Sequence, residues 1–116
     1  MNLYHCMIEL KDTARALTFA AAVDAWMTHL KSKDLVQDWC LMRRKFGLAS
    51  GAHTDFILEI EVAGMAGLDA AFSALAGADD ATTQIYDRMH QMIAHVEVGL
   101  YRPYPDKMQR ERIALI

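Results

Sequence analysis

His5, Glu9, Glu59 and Glu97 are the residues of this chain best suited to chemistry. Each sits in a segment where apolar and polar residues alternate, with Glu61 and His95 nearby. Carboxylates held close together oppose one another's ionisation, and a histidine beside them can pass a proton near neutral pH. Such a group would serve proton abstraction next to a carbonyl, or cofactor-free oxygenation of an activated phenol. Met7, Trp39, Ile57 and Tyr101 would supply an apolar wall for a substrate. Arg43 would hold its negative group, because a guanidinium fork matches a carboxylate. The same side chains have a second use as the lining of an interface, with the glutamates paired to Arg43, Arg44 or Arg102. A divalent ion on His5, Glu9 and Glu59 would have suitable nitrogen and oxygen ligands. No HxxxH, HxH or CxxC spacing supports that reading, and neither metal nor cofactor is expected.

These residues are positioned by a short series of elements. Residues 2–10 alternate Tyr4, Cys6, Ile8 and Leu10 against Leu3, His5, Met7 and Glu9, the period of a strand. Lys11-Asp12-Thr13 breaks the alternation and offers a helix cap. Ala16, Phe19, Val23, Trp26 and Leu30 then recur at spacings of three and four, which predicts a helix over 13–31. A second strand is expected over 35–46, followed by a hairpin loop over 47–54 that contains Gly47, Gly51 and His53. The clearest strand is 55–62, where Phe56, Leu58, Ile60 and Val62 alternate with Ile57, Glu59 and Glu61. Met65, Leu68, Phe72 and Leu75 mark a helix closed by Gly77. Asp79 and Asp80 favour the start of another, with the stripe Ala81, Ile85, Met89, Met92 and Val96. A last strand is expected over 95–102, ended by Pro103 and Pro105, with a helical turn after Asp106.

The order is β-α-β-β-α(α)-β, the split βαβ or ferredoxin-like arrangement. This is an α+β fold with a four-stranded antiparallel sheet and helices on one face. The expected strand order is 4-1-3-2. The helix-covered face takes the more apolar set, including Cys6, Leu58 and Val98. The open face takes His5, Met7, Glu9, Ile57, Glu59, Glu61, His95, Glu97, Gly99 and Tyr101. Trp39, Leu41 and Arg43 are assigned to that open face as well. A slip of one residue would exchange them for Cys40, Met42 and Arg44. Such a mixed face suits a partner sheet or a ligand. Two sheets meeting about a twofold axis would enclose a cavity.

Length and composition narrow the classes. The chain has 116 residues and formal net charge −3, with 53% hydrophobic and 23% charged residues, which fits one globular domain over 1–116 and excludes intrinsic disorder. Residues 103–116 form a C-terminal tail, with apolar Ile113, Leu115 and Ile116. The longest apolar run, residues 19–23, is five long, far short of the ~20 of a membrane span. No signal peptide is visible. The cysteines, Cys6 and Cys40, form no CxxC and read as small buried hydrophobes in a reduced, cytoplasmic setting. Mild acidity, with Glu59 and Glu61 where an RNA-binding sheet would carry aromatics, excludes nucleic acid as a main partner. GxGxxG and GK[ST] fingerprints are absent.

The opening MNLYHCMIEL, the hairpin LMRRKFGLASG, the strand DFILEIEV and the close HVEVGLYRPYPD carry a family resemblance. Over its whole length the chain resembles a small uncharacterised bacterial family of the dimeric α+β-barrel type. The wider superfamily, similar in topology alone, includes antibiotic-biosynthesis-type monooxygenases, stress-responsive barrel proteins and haem-degrading enzymes. The resemblance implies the fold and a homodimer. It carries over no catalytic residue. Two functions fit. One is a homodimeric barrel that binds a small organic molecule in its cavity, with oxygenase-like or isomerase-like acid/base chemistry open to it. The other is a stress-associated or interaction module whose open sheet face is only a dimer interface.

Overall fold

A computed structural model describes residues 2–45 and 53–104. They form four strands and three α-helices in the order β1 (Asn2–Leu10), α1 (Ala16–Ser32), β2 (Asp38–Arg43), β3 (Phe56–Val62), α2 (Met65–Ala76), α3 (Asp80–His90) and β4 (Ile93–Tyr101). The strands make one antiparallel sheet in the order β2-β3-β1-β4. This is the α+β, ferredoxin-like arrangement expected from the sequence, with the helices on one side.

Local chemistry sets the boundaries. Asp12 ends the run after β1, and its side chain accepts a hydrogen bond from the Ala14 N–H at 3.0 Å. A single 3₁₀ turn, Thr13–Arg15, therefore precedes α1 within the stretch expected to be all α-helix. At the β3–α2 junction Gly64 has φ 148°, which a residue with a Cβ rarely adopts. Asp79 caps α3, accepting from the Thr82 N–H at 2.8 Å. That helix ends at His90, so the expected stripe stops early. Its inward line is Thr82, Ile85 and Met89, while Ala81 is exposed and Val96 belongs to β4. Residues 47–52 of the hairpin loop expected over 47–54, and the turn after Asp106 with Ile113, Leu115 and Ile116, lie outside the described residues.

The core lies between α1 and the sheet. Phe19, Val23 and Met27 of α1 are almost completely buried against Ile8, Phe56 and Leu58. Phe19 meets Phe56 with ring centroids 5.2 Å apart. Fully burying a side chain of this kind stabilises the fold by roughly 1.5–3 kcal/mol. His29 of α1 ties α3 to this layer through a 3.0 Å hydrogen bond to Thr82 Oγ1. Cover is thinner elsewhere. Met65 and Phe72 of α2 are each 53% exposed, although both belong to that helix's apolar stripe. Val98 of β4 points to the helix side and is 50% exposed.

Candidate functional site

The strand registers order the open face into rows. Met42, Ile57, Met7 and Glu97 form one row across β2, β3, β1 and β4. Cys40, Glu59, His5 and Gly99 form the next, and Asp38, Glu61, Leu3 and Tyr101 the third. Glu9 lies opposite His95 beyond the first row. The strict alternation of β1 and β3 places their side chains as the sequence requires.

The expected reactive residues are only partly brought together. His5 Nδ1 lies 3.4 Å from Glu59 Oε1, and its ring meets Tyr101 edge-on at 5.7 Å. Glu97 pairs instead with His95, Nε2 to Oε1 at 3.3 Å, in an exposed position. Glu9 is exposed and is in neither pair. Among the described residues no three of His, Cys, Asp and Glu are grouped so as to hold a metal ion. The four residues therefore form no single centre: His5 pairs with Glu59, Glu97 pairs with His95, and Glu9 is in neither pair. Met7 and Ile57 face each other on this side, half-buried.

Strand β2 requires a correction. Its register pairs Trp39 with Ile60, Leu41 with Leu58 and Arg43 with Phe56. Those partners face the helices, so Trp39, Leu41 and Arg43 do too. Trp39 and Leu41 pack against the core. Trp39 is therefore no wall of the open face, and Arg43 holds no charge there. Cys40 and Met42 take their places, and Cys40 is exposed rather than buried. Arg44 pairs with Asp55 at 3.8 Å, and Lys31 of α1 reaches Asp38 at 3.6 Å.

The opposite side of the sheet holds a feature that sequence reasoning missed. Because α2 stands partly off the sheet and no helix covers Val98, a cavity of about 260 Å³ opens between sheet and helices. Its floor includes Tyr4, Cys6 and Leu58, and its roof includes Trp26, Phe72 and Tyr86. A neighbouring opening of about 350 Å³ between α2 and α3 shares Trp26, Phe72, Leu75 and Tyr86 with it. Burial pushes the Cys6 thiol up to about 11. It also raises the Tyr4 phenol, with smaller contributions from Cys6 and Tyr86. Both groups thus keep their protons at neutral pH.

A family model described as a family of unknown function, DUF6614, matches residues 1–116. No curated protein matches the chain. Solved structures resemble it in fold. An uncharacterised NIPSNAP domain protein from Burkholderia xenovorans aligns with TM-score 0.70 and 12% identity, covering 90% of this chain and 96% of that one. A dimeric ferredoxin-like protein of unknown function from Jannaschia sp. CCS1 aligns with TM-score 0.62 and 10% identity over 89% and 100% of the two chains. A DABB family protein with a ferredoxin-like fold from Mesorhizobium loti gives 0.59 and 16% over 88% and 95%.

Proposed function

The chain belongs to this family of unknown function, and from that premise we propose that it works as a homodimer that holds a small, largely apolar organic molecule. Two copies meet through their open sheet faces, each presenting the row Met42, Ile57 and Met7. Twofold pairing uses the same patch on both copies, so this row, with Met42 exposed and Ile57 and Met7 half-buried, would be set against its own copy. Support for pairing comes from the related folds described as dimeric. The ligand sits on the other side of each sheet. The observation that carries this reading is the 260 Å³ cavity with apolar walls between sheet and helices. A space of that size left unfilled would forfeit packing along its whole lining. Native mass spectrometry of the freshly purified protein, compared with its denatured mass, is the test. A dimer carrying extra mass is the expected result. A bare monomer at micromolar concentration overturns the proposal, and a bare dimer favours the non-catalytic interaction module.

One observation favours a second reading. The 3.4 Å contact of His5 with Glu59, beside Tyr101, is an arrangement suited to moving a proton. In a dimer these groups would line the enclosed space between the two sheets and serve cofactor-free oxygenation or isomerisation there. Glu9 and Glu97 would act as outlying carboxylates. His5→Ala would then abolish turnover while leaving the dimer folded, and an unchanged rate would remove this reading.

A further inference from the structure

We propose that the helix-side cavity selects an uncharged molecule of one or two rings ending in a hydroxyl or carbonyl, and that Tyr4 and Tyr86 hold this polar end. The inference rests on the ligand-holding function proposed above and narrows it to a chemical class.

Charge is decided by the walls. None of the described residues lining the cavity is Asp, Glu, Lys or Arg. An ionic group drawn inside would lose its hydration and find no Asp, Glu, Lys or Arg to pair with, His90 being the one ionisable imidazole among the described wall residues. Size follows from volume. At about 260 Å³ the cavity exceeds the ~150 Å³ of an engineered apolar cavity that takes benzene. Two fused rings fit that difference. Polarity is decided by what is left unpaired. The polar side chains on the wall are those of Tyr4, Cys6, Trp26, Tyr86 and His90.

The two phenols are held in place but unengaged. Phe72 meets Tyr4 edge-on, with centroids 6.2 Å apart and planes at 73°. Tyr86 stacks on His90 at 5.0 Å and meets Trp26 edge-on at 5.3 Å. The rings are thus braced, while each hydroxyl hydrogen can still rotate toward an acceptor. Neither hydroxyl hydrogen-bonds to another side chain or to the backbone among the described residues. The raised Tyr4 phenol stays a donor well above neutral pH. A ligand hydroxyl or carbonyl would give these phenols, of which Tyr86 is 38% exposed, a hydrogen-bond partner inside the cavity, whereas a pure hydrocarbon would give them none.

Three probes with one ring system test this: naphthalene, 2-naphthol and 2-naphthoate, titrated into the whole protein at pH 7. The expected order is 2-naphthol about 5- to 10-fold tighter than naphthalene, the worth of one net hydrogen bond. 2-Naphthoate is expected to bind at least about tenfold more weakly than 2-naphthol. Tyr4→Phe and Tyr86→Phe each keep the ring and should narrow the naphthol-to-naphthalene ratio. Equal affinities for these two, a naphthoate as tight as the naphthol, or an advantage that survives both substitutions would each overturn the inference. In those cases binding itself would still support the ligand-holding function. Failure of all three probes to bind would overturn both.

Discussion

Cys6 and Cys40 differ by environment, not by chemistry. Cys6 is 6% exposed, and burial pushes its thiol up to about 11. The thiolate is the nucleophile, so Cys6 should resist iodoacetamide in the folded protein at pH 8 and react once the protein is unfolded. Peptide mass mapping of the two states checks this, and rapid native labelling of Cys6 would refute it. The same shift has a consequence for stability. Above about pH 8.5 the unfolded thiol loses its proton while the folded one keeps it, so the native state binds more protons. Stability must then fall as pH rises, by up to about 1.4 kcal/mol per pH unit, until the folded thiol also ionises near 11. Cys6→Ala should remove that part of the slope. Urea unfolding of both proteins between pH 8 and 10.5 measures the difference.

At the scale of elements, α3 depends on its cap. Asp79 accepts the Thr82 N–H at 2.8 Å, and this backbone hydrogen bond, ahead of the Thr82 side chain, lowers its carboxyl below the usual range. A lowered carboxyl stabilises the fold above its unfolded value near 3.9, and that contribution disappears as pH falls through the folded value. Asp79→Ala should therefore lower the melting temperature by a few degrees at pH 7, with the gap closing in acid. A gap that persists at pH 2 would show that the charge is not the cause. The start of this helix was legible in the sequence because negative charge at Asp79 and Asp80 is stabilised at a helix N-terminus, whereas which of the two makes the capping hydrogen bond was not. Strands β1 and β3 were legible because their alternation is strict, and this put His5 and Glu59 on one face, where the register sets them opposite each other. Strand β2 was not. Trp39, Cys40, Leu41 and Met42 are consecutive apolar residues, so period two names no face, and the pairing of Arg43 with Phe56 decides it. The stripe of α3 ran on to Val96 because helical spacing continues by accident across the turn after His90. The cavity left no trace along the chain. Its walls come from the sheet and all three helices, and each wall residue alone reads as core.

At the scale of the whole molecule, the proposed function gives the two sides of the sheet separate duties, and one substitution can separate them. Ile57 sits at the centre of the open face, between Met42 and Met7, with Glu59 two residues along its strand. It is half-buried in the single chain and takes no part in the cavity on the other side. An arginine there has room to extend into solvent in a monomer. In a twofold dimer it would be brought against its own copy, because a pairing about a twofold axis places each residue near the axis close to its equivalent. Two buried like charges are costly even with carboxylates nearby. Ile57→Arg should therefore sediment as a monomer at concentrations where, on the proposed function, the unaltered protein sediments as a dimer. Its far-UV circular dichroism and its affinity for 2-naphthol should be unchanged. A variant that stays dimeric would show that the open face is not the interface, and the exposed Val96, Val98 and Leu100 of β4 would become the surface to test. A variant that becomes monomeric and loses 2-naphthol would show that the cavity needs the pairing to keep its shape, and the two sides of the sheet would then be coupled.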